Sequence, residues 1–500
     1  MAREGDIRGL EDSKKEVIVG RYAWFTLAIL SCTLLTVFFS ETMLLPAIPE
    51  IIKDFKIPYG TAAWIFSAYL IVAAVMTPIA GRLSDLYGKK RILLILLSTY
   101  IVGLVAGGFA YNISSLLTAR IIQGFGLAAV PAAFSLLRDT FPPAKLAIAV
   151  GVFGSAYSAG SVVGLLIGAS IIQHFGWHST FLTIVPFSAL VTLMIAKFVK
   201  ENRTPDKPTA NIDSEVVLNK KRISLPIDIK GVLALAVTIS SFVIALTLIQ
   251  IGINPENLFL VAGAFAISAA SLSVFVIVER RAKPPFFELR LLRHKVLLRS
   301  YIILVATGIT MFMIYPSVVQ LVRSPIPLGF GGSSEDAANV QLPFMVMFLV
   351  FASITPFIIN RFGSMKPTII GGIVSLIGAI GLFTFHSTEF AISANLAIIA
   401  SGLSLTVTAT WNMVVSSSPK EFTGISVGVG ALLLFIGMAI GPALAGIFME
   451  SQRITEFGGS YPTPESYNLV FLTAGLLSAV SVAFALALRN KPNPVMKYNT

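Results

Sequence analysis

A chain of 500 residues with 55% hydrophobic and only 12% charged residues cannot hide its apolar surface in a water-soluble core, because soluble domains carry about twice that charged share. Its mean hydropathy is +0.83, and repeated apolar stretches of spanning length displace the soluble multidomain reading that length alone would give. The net charge of +12 does not mark a nucleic-acid binder, since the basic residues fall in short segments between apolar runs and form no single stripe.

In chain order, residues 1–21 hold Arg3, Arg8, Lys14, Lys15 and Arg21 and no apolar core, so no cleavable signal peptide is expected. Fourteen spans follow, at 22–48, 61–80, 92–110, 114–137, 145–173, 178–199, 229–252, 257–279, 300–322, 339–359, 367–385, 390–415, 423–448 and 467–488. Lipid offers the backbone no hydrogen-bond partner, so each is expected to be a helix. The expected organisation is a six-helix unit at 22–199, a linker at 200–226, two further helices within 227–279, a cytoplasmic loop at 280–299 and a second six-helix unit at 300–488. A tail at 489–500 closes the chain. The 200–226 segment has the Pro, Asn and Lys content of a mobile linker. Residues 280–299 alternate basic and apolar positions; they either lie along the membrane surface or carry ordinary loop charge. The single cysteine, Cys32, lies in the first apolar run and can form no intrachain disulfide.

Lysine and arginine set the orientation. The side that carries both termini collects Arg82, Lys89, Lys90 and Arg91, then Arg138 and Lys145, then Lys197 through Lys230. It also collects Arg280 through Arg299, Arg361, Lys366 and Lys420, whereas the opposite side holds Lys53, Lys56, Arg323 and Arg453. A multi-pass protein of the cell membrane with both termini cytoplasmic is therefore expected.

The sequence repeats itself weakly, as many transporters do. Span 5 contains Gly151, Gly160, Gly164 and Gly168; span 13 contains Gly428, Gly437, Gly441, Pro442 and Gly446. In both, eight residues separate the first glycine from the second and three separate the second from the third. The loop after span 2 reads Asp85-Leu-Tyr-Gly88-Lys-Lys and the loop after span 10 reads Asn360-Arg-Phe-Gly363-Ser-Met-Lys. Spans 1–6 thus match spans 9–14, with spans 7 and 8 inserted.

These residues carry a family resemblance. Gly81-Arg-Leu-Ser-Asp85-Leu-Tyr-Gly88-Lys89-Lys90-Arg91 resembles the signature loop of the major facilitator superfamily, and Leu116-Leu-Thr-Ala-Arg120-Ile-Ile-Gln123-Gly124 is similar to its helix-4 motif. The two inserted helices resemble the fourteen-helix drug:proton antiporter branch, as do Asp228-Ile-Lys-Gly231, Phe287-Glu-Leu-Arg-Leu-Leu-Arg293 and Tyr315-Pro-Ser-Val-Val-Gln320. The chain departs from the branch's helix-5 motif at Leu165 and Ala169. The resemblance implies an all-α fold of two pseudo-symmetric six-helix bundles plus two helices. It also implies alternating access, and export of amphipathic small molecules in exchange for protons. Two other readings stand beside it: a metabolite uniporter or exporter without proton antiport, and a non-transporting membrane sensor or enzyme on the same fold.

Glu41 is the one acid placed well inside a span, where a charge costs a few kcal/mol. Either it carries the coupling proton, or it reaches interfacial water because Pro46 and Pro49 end the helix nearby. Arg120 lies at a matching depth and is the expected partner of Glu41, as part of the coupling machinery or as a structural lock. In the signature loop, Gly81 and Gly88 are expected to allow close approach and a turn, and Asp85 to cap the start of span 13. By the resemblance Lys89 pairs with Asp139, so that Gly81, Asp85, Gly88, Lys89, Arg91 and Asp139 form a latch that breaks and reforms as the halves rock. A purely topogenic role for the basic residues remains the other reading. Gly160, Gly164 and Gly168, with Gly437, Gly441 and Pro442, are expected to form helix-packing hinges. Met311, Phe312 and Tyr315 of span 9 are either part of the substrate wall or lipid-facing packing.

No His, Cys or carboxylate cluster suits a metal or a nucleophile, with His174, His294 and His386 read as lying outside the spans and His178 at the very edge of one. No Walker loop is present. No cofactor, no metal and no enzymatic activity are expected. The expected partners are a small-molecule substrate, protons and the lipid bilayer, with no nucleic acid, and the chain is expected to act as a monomer.

Overall fold

The computed structural model describes residues 20–201, 229–250, 255–281, 289–418, 423–456 and 459–489. Fourteen helices among them are long and apolar enough to cross a membrane. Most of the expected linker, residues 282–288 of the expected loop at 280–299 and most of both tails lie outside the described residues.

Span 1 begins as helix Arg21–Thr42, passes through a 3-10 turn at Leu45–Ala47 and resumes as helix Ile48–Phe55. Pro46 and Pro49 account for the interruption, because proline ends one helix and starts the next more easily than it continues either. Span 2 is Tyr59–Tyr87 and span 3 is Lys89–Gly108. Span 4 is divided into Ile113–Ala128 and Val130–Thr140 just ahead of Pro131. Spans 5 and 6 are Pro143–Phe175 and Trp177–Phe198, so His174 and His178 belong to the helices after all. The inserted pair is Ile229–Gln250 and Pro255–Arg281. Spans 9 to 14 are Lys295–Arg323, Ser334–Phe362, Met365–Thr384, Glu389–Ser417, Thr423–Ser451 and Pro464–Arg489. Between spans 13 and 14 the strands Arg453–Glu456 (β1) and Gly459–Pro462 (β2) pair antiparallel, with Arg453 opposite Pro462. This hairpin is too short to show in a hydropathy pattern.

The internal repeat is a repeat of packing. Span 1 packs along span 5, span 2 on span 4, and span 3 on spans 4 and 6. Span 9 packs along span 13, span 10 on span 12, and span 11 on spans 12 and 14 in the same arrangement. The glycine stripes explain the first contact in each set. A Cβ added to Gly160, Gly164 or Gly168 would meet the backbone of Leu35, Phe39 or Met43, at 2.4 Å from the Phe39 carbonyl oxygen for Gly164. Gly437 and Gly441 face the backbone of Val305 and Ile309 in the other half. Each stripe steps by four residues along two helices at once, which brings the two backbones together as small residues do between membrane helices. The matching turns also repeat: Gly88 has φ +102° and Gly363 φ +74°, conformations that favour glycine.

The halves meet where span 2 lies against span 13 and span 5 against span 10. Span 7 sits against spans 2 and 13, with Trp64 Nε1 donating to Thr247 Oγ1 at 2.8 Å. Span 8 packs on span 7 and leaves most of its surface outward.

Candidate functional site

Arg120 is fully buried in span 4, whose first turn is fixed by Asn112 Oδ1 accepting from the Ser115 backbone N–H at 2.7 Å. Its Nε donates to the Ile65 carbonyl at 2.9 Å, and its Nη1 donates to the Ser40 carbonyl at 3.2 Å and to Gln123 Oε1 at 2.8 Å. Gln123 Nε2 then donates to the Gly103 carbonyl at 3.0 Å. One guanidinium thus ties spans 1, 2 and 4 together, and Gln123 extends the tie to span 3. The Ser40 carbonyl is available because the helix ends at Thr42, and the last carbonyls of a helix lack intrahelical donors. The Tyr69 ring lies under the guanidinium, 4.2 Å from its carbon to the ring centre.

Glu41, next to Ser40, is 2% exposed, so the expected reach to interfacial water is not made. Neither carboxyl oxygen has a hydrogen-bond partner among the described residues. The direct Glu41–Arg120 pair expected from sequence is likewise not formed: Nε and Nη1 of the guanidinium go to backbone carbonyls and Gln123, and Nη2 has no partner among the described residues. Arg120 Nη1 nonetheless reaches the carbonyl of Ser40, the residue before Glu41, so the two buried groups share one pocket.

Thr42, the residue after Glu41, donates from Oγ1 to the Ser161 carbonyl at 2.9 Å, and Phe38 packs on Tyr157 with ring centres 4.1 Å apart. Tyr157 and Ser161 line a cavity of about 10 Å³ together with Ser158, Met311, Tyr315, Met345 and Phe348, room for about one water molecule. Met311 and Tyr315 therefore face the space between the halves and not lipid. Phe312 stands behind Tyr315, ring centres 5.4 Å apart, and does not line the cavity. Tyr157, Ser158 and Ser161 come from span 5, Met345 and Phe348 from span 10. Sequence reading missed them, although their aromatic and Met content is the signal it used for span 9.

In the signature loop, Lys89 Nζ lies 2.5 Å from Asp139 Oδ2. Both residues belong to the N-terminal half, so rocking of the halves does not require this pair to break, contrary to the expectation. The Lys89 backbone N–H donates to Glu201 Oε1, Gly88 forms the turn, and Arg91 is exposed. A Cβ at Gly81 would meet nothing within 4 Å, so the expected close approach is absent there. The side chain of Asp85 and residues 419–422, which precede span 13, lie outside the described residues.

The two faces of the molecule differ. On the face opposite the termini, contacts cross between halves. Arg323 Nη1 lies 2.5 Å from Glu50 Oε1 and donates to the Pro46 carbonyl at 3.0 Å. Glu450 Oε1 accepts from the Gly60 backbone N–H at 3.2 Å, and His174 Nδ1 lies 4.0 Å from Glu335 Oε1. On the terminal face, Lys89–Asp139, Lys90 Nζ to the Ala196 carbonyl and Ser364 to Asn412 each stay within one half. Gly151, Gly154 and Gly428 also have nothing within 4 Å of an added Cβ. Among the described residues, these contacts join the halves on the far face and stay within one half on the terminal face.

The family model described as the Major Facilitator Superfamily matches residues 30–442. The chain belongs to the major facilitator superfamily. Its members are transporters, which take small-molecule substrates. The chain is 26% identical to the tetracenomycin C resistance and export protein of Streptomyces glaucescens over 86% of this chain and 76% of that one. It is 26% identical to the multidrug efflux pump LfrA of Mycolicibacterium smegmatis over 92% and 87% of the two chains. Against the lincomycin resistance protein of Streptomyces lincolnensis the figures are 25%, over 94% and 93%. Among solved structures, an auto-inhibited POT family peptide transporter superposes with a TM-score of 0.64 at 15% identity, covering 96% of this chain and 99% of that one. That likeness shows the fold. The superfamily's two six-helix bundles, with spans 7 and 8 added, are the architecture described above.

Proposed function

We propose that this protein is a proton-coupled exporter of amphipathic small molecules that works by alternating access in the cell membrane, as a monomer with both termini cytoplasmic. The basic residues of the terminal face support that orientation, under which the structure is inward-facing. The drug- and antibiotic-resistance relatives support export.

One observation carries the coupling: Glu41 is buried with no donor on either oxygen, and the next residue, Thr42, bonds to Ser161 in the wall of the cavity that Tyr157, Tyr315, Met311, Met345 and Phe348 line. A carboxyl placed so carries charge only at high cost, whereas the guanidinium of Arg120 in the same pocket favours charge. Entry of water or substrate beside Glu41 shifts that balance and lets its proton leave toward the cytoplasm. Aromatic rings and Met side chains suit apolar ligands of varied shape. The signature loop, Gly81 through Arg91 with Asp139, would set the relative stability of the two end-states, and the glycine stripes of spans 5 and 13 would let the packed helix pairs move as units.

The test is substrate transport by purified protein in liposomes, with and without a pH step. Accumulation should follow the imposed proton gradient and collapse when the gradient is dissipated. Accumulation unaffected by the pH step would favour a carrier without proton antiport.

A further inference from the structure

We propose that Glu450 is a second proton-binding site, outside the central pocket, and that protonating it from the external side releases the outer closure. The proposal rests on the alternating-access reading and on the orientation given above. It does not depend on Glu41 carrying protons.

Glu450 occupies the last turn of span 13, and its side chain is 3% exposed. At that position its own helix disfavours an anion, because the helix C-terminus is the negative end of the dipole. Two neighbours compensate. Arg453, on the hairpin that follows, pairs with Oε2 from the same half. Oε1 accepts from the backbone N–H of Gly60, in the first turn of span 2 and in the opposite half. The first N–H groups of a helix have no intrahelical partner and form its positive end. The carboxylate of one half therefore caps a helix of the other. Of the ionisable groups around it, Arg453 approaches from the hairpin, Tyr59 from the head of span 2, and Tyr467 of span 14 acts on Tyr59.

A neutral carboxyl is a weaker acceptor and has no charge for the span 2 dipole to hold. Protonation thus weakens a contact made only when the outer face is closed. By linkage, the parted state binds the proton better than the closed state, and external acid populates the outward-facing form. Glu50–Arg323 shares the same face but is more exposed, at 31% and 15%.

The experiment measures the opening directly. In a Cys32→Ser background, cysteines replace the exposed Lys53 and Gln452, one from each half, and carry spin labels. Electron–electron distance distributions are recorded in nanodiscs across neutral to mildly acidic pH. The parent should gain a longer-distance population several-fold on acidification. Glu450→Gln should show that population at every pH, with no response left. Arg453→Gln, a change on the exposed hairpin, should keep the response but move it to higher pH. The proposal is overturned if Glu450→Gln still responds like the parent, if Arg453→Gln leaves the midpoint unmoved, or if the parent shows none. Liposome transport of the same variants reports separately on proton coupling.

Discussion

Arg120 and Glu41 share a buried pocket without touching. The guanidinium gives its hydrogen bonds to the carbonyls of Ile65 and Ser40 and to Gln123, while both oxygens of Glu41 stand without a donor. Arg120 is held as a fixed charge by the backbone of two neighbouring helices. Glu41 is left free to change its state.

The first consequence is that Arg120 is structural as well as functional. Arg120→Ala removes the donors that join spans 1, 2 and 4 and should destabilise the protein by about 3–5 kcal/mol. Arg120→Lys keeps the charge but not the planar fork, and it should lose most of that stability too. Thermal unfolding in detergent measures both. A lysine variant as stable as the parent would mean that charge alone matters.

Helix proximity sets the second expectation. Gly164→Val would push a side chain against the Phe39 carbonyl and the Thr42 side chain. That backbone cannot yield as a flexible side chain can, so a loss of about 1–3 kcal/mol is expected, together with loss of transport. Gly151→Ala, with nothing within 4 Å of the new Cβ, should keep the inward-facing fold at parental stability.

The far-face pair gives a third. Arg323 joins spans 1 and 9 through Glu50 and the Pro46 carbonyl. Arg323→Ala should shift the equilibrium toward the outward-facing state by about 1 kcal/mol, roughly five-fold in population, since the pair is partly exposed. Labelling of a cysteine at Ser161, in the cavity wall, by an impermeant external reagent should rise accordingly. Unchanged labelling would remove this pair from the gate.

A fourth concerns the pair inside the N-terminal half. Lys89 and Asp139 tie span 3 to span 4. Lys89→Asp and Asp139→Lys should each impair transport, and the double exchange should restore most of it. No rescue would show that one of the two acts elsewhere.

The sequence carried the fold because lipid imposes a periodic demand that residues 22–488 meet span after span, and because glycine stripes announce close helix pairs. Gly88 and Gly363 were legible as turns for the same reason. The site was legible only in part. Glu41 and Arg120 stand out as charges among apolar residues, but the carbonyls of Ile65 and Ser40 that hold Arg120 have no side-chain signature. Glu50–Arg323 and Glu450–Gly60 join residues hundreds of positions apart, and neither pair alters a local pattern. Gln123 could be read in its motif, but its role as the arm that carries Arg120's tie to span 3 needs the packing.

The central claim is that Glu41 exchanges its proton for substrate. Glu41→Gln matches the protonated carboxyl in size and hydrogen bonding but has no proton to release. It should permit downhill exchange and abolish accumulation against a gradient. The most direct measurement is substrate-induced proton release from detergent-solubilised protein in weakly buffered solution. Parent protein should release protons on substrate addition and Glu41→Gln should release none. A Glu41→Gln variant that releases protons as the parent does would contradict the account.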